Sequence, residues 1–181
     1  MALSEPGLTI FIRTKMQIRK EEIKDRAQVL QVVHDAFGRW DECDLVKQLY
    51  LDNDVLFGLV AEEEEGTIIG HILFSPMEIG SPDIQIRTAS LAPLAVSPDH
   101  QGKGIGKQLI EQGIQTCRDI EDLSGIIVLG EPAYYSKFGF QSSLTNHLEA
   151  PFSGEAFMGL EFRKNIFPKG GKVTYPQAFG L

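Results

Sequence analysis

The chain predicts an α/β fold, a mixed sheet covered by helices on both faces. Three observations carry this. Short apolar runs of strand character alternate with runs of helical periodicity. Near the middle, Leu91, Leu94 and Val96 lead into Pro98-Asp99, then into Gly102, Gly104 and Gly106, and then into the stripe Ile105, Leu109, Ile110, Gly113, Ile114 and Cys117. Further on, the β-branched run Ile126 to Leu129 reads as a strand buried on both faces. Pro132 then opens a short helix and Gly139 closes it.

The elements follow in order. Ile10 to Arg19 contains the first strand. A helix from about Asp25 to Phe37 buries Val29, Leu30, Val33, Ala36 and Phe37 and stops at Gly38. A second, from about Glu42 to Leu51, buries Leu45, Val46 and Leu49. Strands are expected near 55–62, 67–79 and 84–96, with Glu62 to Gly66 as a solvated hairpin turn. The glycine loop, its helix, the strand at 125–129, the helix Pro132–Phe138 and irregular C-terminal strands complete the order β-α-α-β-β-β-α-β-α-β.

Composition bounds the function. The length of 181 residues supports one sizeable core, and 43% hydrophobic with 23% charged residues is ordinary for a globular protein. A net charge of −8 and the lack of a basic run argue against a nucleic-acid partner. An acidic field suits a cationic amine. Cys43 and Cys117 have no metal spacing, and Cys117 falls on an apolar stripe. The chain has no apolar run of membrane-spanning length, and Met1 to Gly7 has no leader character, so the expected location is the cytoplasm, with no membrane partner.

The glycine loop is an anion cradle. A helix start without side chains exposes unpaired N–H groups and the positive end of the helix dipole, and glycine lets phosphate oxygens reach the backbone. Lys103 and Lys107 add charge at the same end. The nucleotide pattern G-x-x-x-x-G-K-S/T fails, because Gln101 stands at its first glycine and Gln108 follows Lys107. The dinucleotide pattern G-x-G-x-x-G fails in spacing and position. A third pattern, Q/R-x-x-G-x-G/A, is met by Gln101, Gly104 and Gly106, and resembles the acyl-CoA pyrophosphate loop of the GNAT (Gcn5-related) N-acetyltransferases. Taken alone, the loop also reads as a left-handed structural turn.

A second motif agrees with that resemblance. Tyr134-Tyr135-Ser-Lys137-Phe-Gly139-Phe140 is similar to the family's F/Y-Y-x-K/R-x-G-F signature. Gly70 to Pro76, Leu94 to Pro98, Val128 to Phe140 and Ala156 to Met158 narrow the likeness to the YhbS-like branch, over about Gln17 to the C-terminus. The resemblance implies a mostly antiparallel central sheet, a GNAT domain over residues 16–181 after an N-terminal extension of residues 1–15, and acetyl-CoA as co-substrate with no metal. The acceptor it implies is a small-molecule or peptide amine, and a homodimer stays open. A non-catalytic acyl-CoA-binding regulatory domain is the alternative, and a longer acyl donor is not excluded by the residues.

Four chemical tasks follow from acetyl transfer. The backbone of Gln101, Gly102, Lys103, Gly104, Ile105, Gly106 and Lys107 is expected to hold the pyrophosphate. By resemblance, Leu94, Ala95 and Val96 contact acetyl and pantetheine through N–H groups freed by a strand bulge, donors worth roughly 3 kcal/mol each toward an oxyanion. Also by resemblance, Tyr135 sits beside the thioester sulfur. Its phenol is protonated at neutral pH, so it suits the departing thiolate. The base has no clear owner. No carboxylate stands on the strand Ile84 to Pro93, which leaves His71, Glu78, Glu131 or a water on Ser90. The acceptor pocket is expected from Phe37 to Leu51, with Trp40, Asp41 and Glu42 at its wall, and from Pro151 to Phe167.

Overall fold

A computed structural model describes residues 16–181. Among the described residues seven strands form one sheet: β1 (Gln17–Lys20), β2 (Phe57–Glu62), β3 (Ile68–Gly80), β4 (Gln85–Val96), β5 (Leu123–Leu129) and β6 (Phe157–Glu161) lie side by side in that order. The seventh, β7 (Lys172–Thr174), pairs with the far end of β3. All pairings are antiparallel except β4 with β5, so the sheet is mixed and mostly antiparallel as expected. The first strand is its Gln17–Lys20 part, and residues 10–15 of the expected strand lie outside the described residues, as does the extension of residues 1–15.

Alternation along the strands assigns the two faces. Leu59 and Ala61 of β2 and Ile72 and Phe74 of β3 pack against α3 (Ile105–Arg118). Val60 and Leu73 face α1 (Arg26–Phe37) and α2 (Asp41–Asp52), meeting Val29, Val33, Val46 and Leu49. In α3 the predicted stripe is buried at Ile105, Leu109, Ile110, Gly113 and Cys117. Phe74 lies against Gly113, where an added Cβ would come within 2.5 Å of its ring. A third cluster, with Ile79, Phe157, Phe167 and Val173, closes the C-terminal end.

The Glu62–Gly66 run makes the β2–β3 hairpin turn as expected, but it is not solvated throughout. Glu62 is the last residue of β2, and its carboxylate receives Arg19 Nε at 2.8 Å, while Arg19 Nη1 reaches the buried Asp25 at 2.6 Å. Arg19 thus ties β1 to β2 and to the start of α1. Hydrogen bonds from that guanidinium hold both carboxylates below their ordinary range, Glu62 at about 2. Only Glu64 and Glu65 of the run are fully solvated.

Candidate active site

Two features of β4 make the site. Its pairing with β5 ends at Leu91–Val128, so the edge from Ala92 to Val96 has no strand beside it there among the described residues. On its other edge the register slips: Phe74 faces Leu91 but Ile72 faces Leu94, which places a bulge at Ala92–Pro93. Past the bulge, the Ser97 N–H bonds the Ile69 carbonyl at 2.9 Å. Strand alternation therefore turns the Ala95 amide toward β3 and the Leu94 and Val96 amides toward the open side. The Val96 carbonyl agrees, since it accepts Gln101 Nε2 at 3.0 Å.

The glycine loop sits beyond that edge. Gly102 and Gly104 hold φ of 72° and 82°, the left-handed conformation that glycine takes without penalty. The first bond of the α3 ladder runs from Gln108 N–H to the Gly104 carbonyl at 3.1 Å. Ile105, Gly106 and Lys107 precede it, so their N–H groups have no carbonyl in the helix and carry its positive end. A cavity of about 420 Å³ lies over them. Leu94, Val96, Gln101, Gly102, Gly104, Ile105, Gly106 and Lys107 line it, together with His100 and Tyr134. A Cβ on Gly106 would stand 2.8 Å from the Tyr134 hydroxyl, so this wall requires glycine.

Two expected residues stand apart. Ala95 is buried, with its amide given to the sheet, and Lys103 is exposed and lines neither cavity. The Gln101 side chain ties the loop to β4, while its backbone N–H is given to the Pro98 carbonyl at 3.3 Å and is not among the free donors. Lys107 lies 3.7 Å from Glu111, one turn along α3.

A second cavity of about 400 Å³ opens from the same strand edge, lined by Ser90 to Leu94 and by Leu129, Gly130 and Tyr135. Leu94 belongs to both cavities. Tyr135 comes from α4 (Pro132–Tyr135), which the Glu131 carboxylate caps by accepting from Ala133 N–H. Its ring packs edge-on to Tyr134 and Phe140 and against Gly130, where a Cβ would come within 2.3 Å. Burial, with Tyr134 adding to it, pushes the Tyr135 phenol up to about 12, so it stays protonated over the whole physiological range.

The rest of the lining comes from Phe37, Glu42, Leu45 and Phe152, as expected, and from Tyr175 and Phe179, which lie beyond the expected range. Trp40 lines neither cavity and stacks on His34 at 4.1 Å. Asp41 lies in a shallow depression outside. The candidate bases other than Ser90 are elsewhere. His71 is fully buried, with Nε2 at 2.8 Å from Glu21, and lines neither cavity. Glu78 pairs with Gln85 at the far end of the β3–β4 hairpin, and Glu131 serves its helix cap.

Sequence reasoning misses His100, Tyr134, Tyr175 and Phe179 as cavity residues. Tyr134 carries a readable signal, because it adjoins Tyr135 on a four-residue helix and faces the loop. Tyr175 and Phe179 sit in irregular C-terminal chain, where no periodicity marks a face.

The Acetyltransferase (GNAT) family profile matches residues 26–140, from the start of α1 through the Tyr134–Phe140 segment. The chain belongs to the GNAT acetyltransferase family. Among its relatives, the uncharacterized N-acetyltransferase YhbS of Escherichia coli (strain K12) is 32% identical over 139 residues, 77% of this chain and 81% of that one. YjhQ of the same organism, also an uncharacterized N-acetyltransferase, is 38% identical over 122 residues, 65% of each chain. The crystal structure of E. coli YhbS in complex with CoA superposes with a TM-score of 0.84 at 27% identity, covering 99% of this GNAT chain and 97% of that one. A GNAT family acetyltransferase from Brucella melitensis in complex with acetyl-CoA gives 0.76 at 33% identity, over 92% and 99%. No group of three or more His, Cys, Asp or Glu suited to a metal is found among the described residues, and no described helix is long and apolar enough to cross a membrane.

Proposed function

We propose that this GNAT chain transfers an acetyl group from acetyl-CoA to a primary amine by direct attack of the amine on the thioester, as a single domain over residues 16–181 in the cytoplasm. The observation that carries the reading is the meeting of two cavities at Leu94, one walled by free helix N–H groups and the other by a protonated buried phenol. The glycine cradle fits the pyrophosphate of the co-substrate in charge and in its lack of side chains. When bound, acetyl-CoA supplies an acyl carbon activated as a thioester. In the balanced reaction the amine nitrogen bonds that carbon, the carbon–sulfur bond breaks, nitrogen loses a proton and the thiolate gains one.

The residues divide the work as follows. Ile105, Gly106 and Lys107 donate to the phosphates, with the Lys107 ammonium above them. Leu94 and Val96 turn amides to the open edge of β4, where one serves the carbonyl oxygen and the other the pantetheine arm. Preset donors of this kind need no reorganisation as charge develops. Tyr135 donates to the sulfur. With a pKa about three above a thiol, it stabilises the leaving group mainly as a hydrogen-bond donor.

A non-catalytic acyl-CoA-binding role has one observation in its favour: neither cavity is lined by His71, Glu78 or Glu131. Following free thiol released from acetyl-CoA with and without a panel of amines separates the two. Amine-dependent release, abolished by Gly104→Asp, is the expected result. CoA binding without release for any amine overturns catalysis.

A further inference from the structure

The acceptor half of the second cavity has a composition that selects its ligand. Phe37, Leu45, Phe152, Tyr175 and Phe179 wall it, and among the described residues Glu42 is the only ionisable carboxylate in its lining. The aromatic rings brace each other: Tyr175 lies 4.9 Å from Phe179 and 6.0 Å from Phe152 between ring centroids. Among the described residues, no Lys or Arg lines this cavity or the shallow depression that adjoins it at Glu42, Leu45 and Phe179. Asp41 and Asp44 edge that depression; with Arg39 beside Asp41 and Glu42, and Lys47 beside Asp44, three carboxylates face two cations and the approach is weakly acidic.

Glu42 differs from those two aspartates. All three stand in the first turn of α2, where acids favour the helix dipole. Asp41 and Asp44 do so from solvent, with side chains 82% and 70% exposed, whereas the Glu42 side chain is 15% exposed and reaches the chamber. Its present partner is Arg39, which donates from Nε at 3.0 Å and from Nη2. The Arg39 side chain is 61% exposed, and an ion pair with such a solvated partner is weak and readily exchanged. An ammonium arriving from the chamber side meets a carboxylate whose remaining lone pairs and low solvation favour it.

Building on the acetyl-transfer reading above, we propose that the acceptor is a primary monoamine carried on a compact apolar or aromatic body, with Glu42 receiving its ammonium. The chamber binds the body by burying apolar surface and stacking rings. Glu42 holds the nitrogen at the chamber's one charged wall. Polyamines and aminosugars would bring further charges and hydroxyls into a space with too few polar partners, and each unpaired polar group costs binding. A free amino acid would bring a carboxylate to an acidic approach. Arg39, by competing for Glu42, acts as a positioning residue that tunes affinity.

The test compares phenethylamine and hexylamine with phenylalanine, spermidine and kanamycin in the thiol-release assay, with CoA-induced thermal stabilisation read in parallel. The two monoamines should give the highest kcat/KM, by about tenfold or more over the others. Glu42→Gln should raise KM for phenethylamine about tenfold while keeping the CoA-induced shift. Arg39→Ala, a change at an exposed side chain, should lower that KM and leave kcat alone. Preference for spermidine, kanamycin or phenylalanine overturns the acceptor assignment and leaves acetyl transfer standing. An unchanged KM in Glu42→Gln, or a raised KM in Arg39→Ala, overturns the role of Glu42. Loss of any CoA-induced shift in the unaltered protein overturns the acetyl-transfer reading and this assignment together.

Discussion

The two cavities that meet at Leu94 are nearly equal in volume, about 420 and 400 Å³, yet they are built from different material. The first is mainly backbone: a helix start, left-handed glycines and a strand edge, all within Leu94 to Lys107 apart from Tyr134. The second is mainly side chains gathered from α1, α2, β4, the β5–α4 junction and the C-terminal segment. A backbone site must be written locally, because only consecutive residues set a turn and a helix start. A side-chain site is assembled by the tertiary fold, and its members share no spacing. The contrast explains why the co-substrate can be argued from motifs while the acceptor needs the chamber itself.

Gly104→Asp presses hardest on the backbone half. Aspartate tolerates the left-handed conformation, and a Cβ there meets nothing within 4 Å, so the fold should survive. Its carboxylate would stand where phosphate is expected, at a cost of about 4 kcal/mol for like charges near 4 Å at a protein surface. Calorimetric titration should show affinity for CoA reduced by about a thousandfold. An unchanged affinity would mean the cradle is only structural.

The junction of the halves is tested by Tyr135→Phe, which should lower kcat about a hundredfold with KM for acetyl-CoA unchanged. A rise in that KM with kcat intact would make Tyr135 part of the binding wall instead. Away from both cavities, Arg19→Ala strands the buried Asp25 and loosens β1. Between a surface and a fully buried pair, that loss is about 2 kcal/mol by denaturant unfolding at pH 7, with CoA affinity unaffected. Asp25 and Glu62 have depressed pKa values when folded, so their contribution is full above about pH 5 and fades as pH falls, the Glu62 part down to about 2. The variant should therefore lose its deficit relative to the parent in acid.

The smallest effect expected is an absence. Because burial pushes the Tyr135 phenol up to about 12, kcat should go on rising to pH 10 as the amine loses its proton, with no downturn. A decline with an apparent pKa near that of free tyrosine would place the phenol in water.

Legibility followed the same division. The stripe of α3, the stop at Gly139 and the strand order were readable because propensity, period and turn residues agreed at each. The bulge at Ala92–Pro93 was anticipated only through resemblance, since nothing in Ala-Pro reports a register slip. His71 looked like a base because a lone imidazole on a strand is ambiguous. Burial beside Glu21 and away from both cavities decides against it, and that depends on residues fifty positions apart. Glu62 looked solvated as part of a charge run, but Arg19 across the β1–β2 pair makes it a strand anchor. Tyr175 and Phe179 carried no pattern at all.

The most direct measurement is thermal unfolding of the full chain with acetyl-CoA and CoA, against ATP and NADH at the same concentration. At a hundred times its dissociation constant a ligand stabilises by about 2.7 kcal/mol, which for a chain of this size raises Tm by roughly 5–10 °C. That rise is expected for acetyl-CoA and CoA, with little from ATP and NADH. No rise with either CoA compound, or an equal rise with NADH, would contradict the acetyl-transfer reading.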